Sequence, residues 1–270
     1  MASVVADLDL DGSLEVVAGP TAYRADGTIL WNKLNTPATL HDGPVAVANF
    51  DADPNPEFVI RPYNSTYLYM LEHDGTVKWG VTDPMHKTWG GQPVIGDVDN
   101  DAVPEIAVVD QAHLYLYKAD GSLKWSIPIM EHTSGWTSAT IFDLNNDDAA
   151  EVVYADEQKL YILRGSDGAI LNEFVHYSST SAEGVTIADT DLDGHAEILV
   201  VGDVPFFPEG RALRVFTGAN NNWANTRPLW NQDGNTITNI NDDLSVPAKV
   251  TPNWLTPGMN NYRTNGFLPN

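Results

Sequence analysis

The sequence predicts an all-β fold, a β-propeller of about five four-stranded blades, on three observations. A nine-residue acidic loop recurs along the chain. Short apolar strands flank every copy, and an Asp-Gly turn follows in four of the five repeats. No helical period interrupts the pattern, and repeats of 40 to 50 residues with four short strands each are the signature of propeller blades.

The loop is clearest at Asp189, Asp191, Asp193 and Glu197, positions 1, 3, 5 and 9, with Gly194 at position 6. Asp7, Asp9, Asp11 and Glu15 fill the same slots around Gly12. Asp97, Asp99, Asp101 and Glu105 do so around Ala102, and Asp143, Asn145, Asp147 and Glu151 around Asp148. Asn49, Asp51, Asp53 and Glu57 form the most degraded copy, with Pro54 at position 6. First positions fall at 7, 49, 97, 143 and 189. Acidic side chains on alternate residues of a tight loop can aim at one point, as a hard cation with six to eight oxygen ligands requires. Position 7 adds a backbone carbonyl, here from Ser13, Asn55, Val103, Ala149 and His195, and glycine at position 6 permits the sharp turn. The expectation is four to five Ca²⁺ per chain, with the site at 49–57 weakest because Pro54 is restricted where the loop wants a permissive residue.

Each repeat opens on a small, apolar strand, at Ser3 to Ala6, Pro44 to Ala48, Pro93 to Gly96, Thr137 to Phe142 and Val185 to Ala188. The loop leads into a second apolar strand such as 105–109. A third alternates, as at 114–117 and 160–163. Asp26-Gly27, Asp74-Gly75, Asp120-Gly121 and Asp167-Gly168 then supply hairpin turns, and the fourth strand often carries tryptophan, at Trp31, Trp79 and Trp125. Repeats therefore begin near 3, 44, 92, 137 and 184, and residues 211–230 are expected to give the fifth blade its outer hairpin. The units run in register without a split blade, so closure by the tail and closure by further blades both stay open. Residues 231–270 do not repeat. This Asn- and Pro-rich tail, with Trp254, Tyr262 and Phe267, is expected to pack on the 1–230 propeller, and Asn239, Asn241, Asp242 and Asp243 read as turn formers ahead of the alternative, a further cation site.

The loops and their flanking strands resemble FG-GAP/VCBS repeats, the calcium-binding blades of integrin-α-like propellers. The resemblance covers roughly residues 1–230. It implies a propeller with Ca²⁺ in the loop joining the first two strands of each blade, and it weakens where Asn49, Pro54, Ala102, Asn145 and Asp148 depart from the pattern.

Among 270 residues, 37 are acidic and 14 basic, for a net charge of −23. Nearly half of the acids lie at the loop positions named above, and five bound Ca²⁺ would bring the charge to about −13. Such a surface repels phosphate backbones, so nucleic acid is not an expected partner. The absence of cysteine excludes disulfides and thiolate metal sites. No apolar run approaches the ~20 residues of a membrane span, so direct insertion is not expected either. The chain opens on 2–6 without a signal peptide and reads as one domain of a larger secreted protein, extracellular or at a cell surface.

His41, His86, His132 and His176 recur once per repeat just before the first strand, with Trp89, Trp136 and Tyr177 close behind. In a propeller these connections emerge opposite the acidic loops. A ring of such groups suits stacking on a sugar or capture of a peptide; the alternative is packing between blades. Signatures of hydrolytic, metalloprotease and phosphate-loop chemistry are missing. The expected function is thus a non-enzymatic, calcium-binding module that recognises a protein or glycan. A second reading is a self-assembling structural subunit whose partner is another copy. A third is an enzyme, since strands like 114–117 with Asp120-Gly121 and Trp125 are similar to quinoprotein propeller repeats, and calcium-rich propellers also occur in polysaccharide lyases. That third reading requires a deep central pocket with a basic residue, for which Lys87 is the candidate.

Overall fold

The computed structural model describes residues 3–82, 90–132, 135–178, 183–202 and 212–266. They form five antiparallel sheets, arranged as propeller-like blades, in which sequence order is also spatial order. Blade 1 holds β1 (Val4–Ala6), β2 (Glu15–Ala18), β3 (Thr21–Tyr23) and β4 (Ile29–Asn32). Blade 2 holds β5 (Val45–Ala48), β6 (Glu57–Ile60), β7 (Tyr67–Leu71) and β8 (Val77–Thr82). Blade 3 holds β9 (Val94–Gly96), β10 (Glu105–Val109), β11 (His113–Tyr117) and β12 (Leu123–Pro128). Blade 4 holds β13 (Thr140–Phe142), β14 (Glu151–Ala155), β15 (Lys159–Arg164) and β16 (Ile170–Val175). Blade 5 holds β17 (Thr186–Ala188), β18 (Glu197–Val201) and β19 (Leu213–Thr217).

The Asp-Gly turns close the outer hairpins. Their glycines take φ of +74° to +84°, the left-handed region that a side chain disfavours. A register shift precedes each turn, at Ala22/Tyr23, Met70/Leu71, Leu116/Tyr117 and Ile162/Leu163, which fits an Asp-Gly turn to a bulged hairpin.

First strands neighbour one another in series, β1 beside β5, β5 beside β9, β9 beside β13 and β13 beside β17. Because strand side chains alternate faces, each inner blade buries both sides. In blade 3, Ile106, Val108, Tyr115 and Tyr117 pack toward blade 2, whereas Ala107, Val109, Leu114 and Leu116 pack toward blade 4. This explains why β10 reads as an almost unbroken apolar run, and why the leucines and the tyrosines of the alternating β11 are buried alike. Among the described residues, the series leaves apolar side chains exposed on its two end blades. On blade 5, Val201, Leu213 and Val215 are 48%, 52% and 49% exposed; on blade 1, Val5 is 56% exposed.

Two expectations are corrected. Blade 5 has three strands, not four, among the described residues. Its predicted outer hairpin over 211–230 is replaced by one strand and a return segment, in which Ala224 bonds Leu144 and Ala196, and the Asp189 amide donates to the Arg227 carbonyl. Residues 203–211 lie outside the described set. The tail also does more than cover a face. Tyr262 exchanges backbone hydrogen bonds with Ile95 of β9, and the Arg263 guanidinium donates to the carbonyls of Ala139 and Val185. Thr264 donates to Ile141, and Asn265 to Ile187 and Arg227. Residues 262–265 therefore cross the first strands of blades 3, 4 and 5 and satisfy carbonyls that have no neighbouring strand. No helix among the described residues is long and apolar enough to cross a membrane.

Candidate metal centres

All five acidic loops share a hydrogen-bonded frame. The position-9 glutamate accepts the amide of position 2: Leu8 to Glu15 at 3.0 Å, Phe50 to Glu57 at 2.7 Å, Val98 to Glu105 at 3.1 Å, Leu144 to Glu151 at 2.9 Å, and Thr190 to Glu197 at 2.7 Å. The position-5 aspartate accepts the amide of position 7, as from Ser13, Asn55, Val103, Ala149 and His195. In four loops the position-1 aspartate also accepts the amide of position 6, from Gly12, Ala102, Asp148 and Gly194. Positive φ at those four residues turns that amide inward. Each position-9 glutamate thus spends one oxygen on the backbone and keeps the other for a different partner.

Loops 1 and 5 fit a shared cation best. One oxygen from each of Asp7, Asp9 and Glu15 lies within 4.8 Å of the others, as do oxygens of Asp189, Asp191 and Glu197. Two oxygens bound to one Ca²⁺ at about 2.4 Å can stand no farther apart than roughly that distance. Asp7 Oδ1 is buried without a hydrogen-bond partner, an arrangement costly for a carboxylate unless a cation completes it. Burial, followed by the nearby Asp9, Asp11 and Asp7, lifts Glu15 above the usual carboxylate range against the pull of the Leu8 amide.

Loops 2 and 3 differ. Lys78, on β8, places its Nζ 2.5 Å from Asp51, 2.8 Å from Glu57 and 3.2 Å from Glu72. Lys124, on β12, bonds Asp99 and stands 2.8 Å from Glu105. Oxygens of Asp51, Glu57 and Glu72 also converge in loop 2, and those of Asp97, Asp99 and Asp101 in loop 3. Partial burial works against both ammonium groups, yet their carboxylate partners hold them above the ordinary lysine range. In loop 4 the Asn145 amide donates to Glu151 at 2.9 Å. Burial pushes Glu151 up to about 7, with Asp143 and Asp147 adding to the rise.

The sequence pattern missed Lys78, Lys124 and Glu72, although a lysine directly before Trp79 and Trp125 was a visible signal. It also missed Asn260, whose amide brackets the backbone of Asn49. Trp254 donates to Pro54 at 3.2 Å, so the tail rests on loop 2. Asp242 pairs with Arg227, and Asp243 holds a turn at Ser245.

The histidine series divides among separate environments. His41 lies 3.0 Å from Asn35, and His132, largely exposed, 3.4 Å from Glu157. His176 is buried, and burial, moderated by Asp156 and reinforced by Arg214, lowers it to about 4. Trp136 and Tyr177 are 43% and 40% exposed, and the Trp136 ring stands 6.0 Å from Tyr63. His86, Lys87 and Trp89 lie outside the described residues.

Two cavities border the loops. One, of about 410 Å³, lies between β1 and the tail, against Val5, Asp7, Asn239 and Trp254. The other, of about 430 Å³, lies between loops 3 and 4 and the tail, against Asp97, Asp143, Asn261 and Asn265. Neither is lined by lysine, arginine or histidine among the described residues.

Residues 143–200 match the family model of the FG-GAP-like repeat. That stretch contains loops 4 and 5, so the resemblance drawn from the acidic pattern is borne out there. No curated protein matches the sequence. The fold is similar to that of the V. cholerae biofilm matrix protein Bap1, with a TM-score of 0.81 at 18% identity over 99% of this chain and 71% of that one. The rhamnogalacturonan lyase YesX is more distant, with a TM-score of 0.54 at 14% identity over 82% of this chain and 48% of that one. The Bacillus licheniformis rhamnogalacturonan lyase PL11 gives 0.53 at 15% identity, over 79% and 48%. At these identities the likeness is one of fold. The chain spans about half the length of the two lyases.

Proposed function

We propose that this chain is a Ca²⁺-stabilised, extracellular FG-GAP-like module that recognises a protein or glycan and carries out no catalysis. The observation that carries the reading is the convergence of Asp7, Asp9 and Glu15, and of Asp189, Asp191 and Glu197, on points that suit one cation each. Ca²⁺ there replaces repulsion among carboxylates with coordination and fixes the turn between the first two strands of a blade. Binding to the folded state alone couples metal to stability. Extracellular sites as weak as ~10⁻⁴ to 10⁻³ M stay filled where Ca²⁺ is abundant.

The non-enzymatic reading is supported by the tail, which crosses the first strands where a central pocket would open, and by the lack of basic residues around both cavities. The likeness to a matrix protein agrees with extracellular placement, and Trp136 and Tyr177 are exposed aromatics among the described residues. The test is thermal unfolding with EDTA and then with Ca²⁺ restored, joined to native mass spectrometry. The expected result is retained Ca²⁺ and a Tm that falls by several degrees on chelation and recovers on addition. An unchanged Tm with no retained metal would overturn the calcium reading. A second reading, assembly with further copies, is favoured by the uncovered apolar faces of blades 1 and 5.

A further inference from the structure

The five loops differ in who supplies the positive charge. We propose that Lys78 and Lys124 are resident cations that take the place of Ca²⁺ in loops 2 and 3, leaving metal to the loops that no lysine enters, of which loops 1 and 5 bring three carboxylates together. The inference rests on the calcium reading above and changes its stoichiometry.

The residue before the fourth-strand tryptophan, or its counterpart, is Leu30 in blade 1, Lys78 in blade 2, Lys124 in blade 3 and Leu171 in blade 4. Lysine thus occupies this position in the two blades whose loops it enters, and leucine in two whose loops lack it. Each ammonium crosses its sheet to the same pair of slots, the position-3 aspartate and the position-9 glutamate. Glu57 is fully buried and Glu105 nearly so, so these are charges that need a close counter-charge. Lys78 also gathers Glu72 from the outer hairpin, a residue outside the loop that serves the lysine and not the loop pattern.

A divalent ion seated on the same oxygens would stand within contact distance of the ammonium, and like charges at that range exclude one another. The lysine also arrives tethered, so it needs no free cation to complete the site. Loop 2 has changed accordingly: its first position is Asn49, one charge fewer, and Pro54 stands at position 6. Loops 1 and 5, where the carboxylates converge without a lysine, keep Gly12 and Gly194. The tail's Lys249 approaches the backbone of loop 1 at Gly12.

The test compares the wild-type chain with the Lys78→Leu/Lys124→Leu double variant, which installs the residue that blades 1 and 4 already carry. Native mass spectrometry in Ca²⁺ is expected to count no more than three ions on the wild type and two more on the variant. Chelation should then lower the variant's Tm further than the wild type's. Lysine acetylation of the wild type supplies a readout independent of folding. Lys78 and Lys124 should react at least several-fold more slowly than the exposed Lys118, with or without Ca²⁺. Four or more ions on the wild type, an equal count on both proteins, or acceleration of Lys78 and Lys124 acetylation by Ca²⁺ would overturn the lysine proposal alone. If neither protein retains metal, the calcium reading falls, and this proposal falls with it.

Discussion

Pro54 has no amide hydrogen, and Asn49 lacks the second carboxylate oxygen that would receive one. Elsewhere the position-6 amide donates to the position-1 aspartate, but in loop 2 the Asn49 side chain donates to the Asp53 carbonyl at 2.5 Å. The two departures offset each other, so the loop keeps its shape while losing a charge. His176 makes another single-residue prediction. Burial lowers it from 6.5 to about 4, whereas the unfolded chain restores ordinary basicity. As pH falls from 6.5 toward 4, the unfolded state takes up a proton that the folded state refuses. The contribution is therefore intact above 6.5 and is lost across that window, by roughly 3 kcal/mol at most. Urea unfolding at pH 7 and pH 4.5 should give a shallower pH dependence for His176→Gln than for the wild type. Equal slopes would show that His176 titrates normally.

Within and between blades, the fourth-strand tryptophans act as latches. Trp31 donates to the His73 carbonyl at 2.9 Å, Trp79 to Ala119 at 2.8 Å and Trp125 to Gly165 at 2.7 Å, each reaching the outer hairpin of the next blade. The indoles lie over Gly75, Gly121 and Gly168, where an added Cβ would meet ring carbon at 2.8 to 3.1 Å. These glycines therefore serve two needs, a left-handed φ and a neighbour's ring. The sequence disclosed the first need through the Asp-Gly pair and hid the second, because the tryptophan in contact lies more than 40 residues away. Acidic spacing, strand alternation and turns were legible because each is local and repeats. The lysines were harder to find, because a single polar residue in an outer strand reads as solvent-facing until the register carries it over the loop. Trp125→Phe keeps most of the buried ring and leaves the Gly165 carbonyl without its donor. It should cost about 1–2 kcal/mol in urea unfolding, the usual penalty for a buried group left unpaired. No change would mean that ring packing alone holds the latch.

Over the whole molecule, order comes from a series of blades and one aperiodic segment. The tail's path was not legible, because Tyr262 to Asn265 bind first-strand carbonyls that carry no side-chain signature, whereas the period announced the blades. The series also sets what its ends can do. The pairs Leu199/Val215 and Val201/Leu213 align with Val153/Ile162 and Ala155/Leu160, which blade 5 covers on blade 4. Blade 5 thus presents the kind of face that accepts a blade, and blade 1, with Val5 beside half-buried Val16 and Tyr23, presents its own uncovered face. Such unlike faces on one chain suit head-to-tail association, which closes into a ring or extends as a filament according to the angle. Burying Val201, Leu213 and Val215 would contribute about 1–2 kcal/mol each if their exposed halves were covered. Light scattering should therefore find the mass of the wild type rising with concentration. Leu213→Glu/Val215→Glu, which places charge on that face, should hold the chain monomeric at equal Tm. A wild type that stays monomeric throughout would rule out assembly through these faces and leave recognition of another protein or a glycan as the reading that stands.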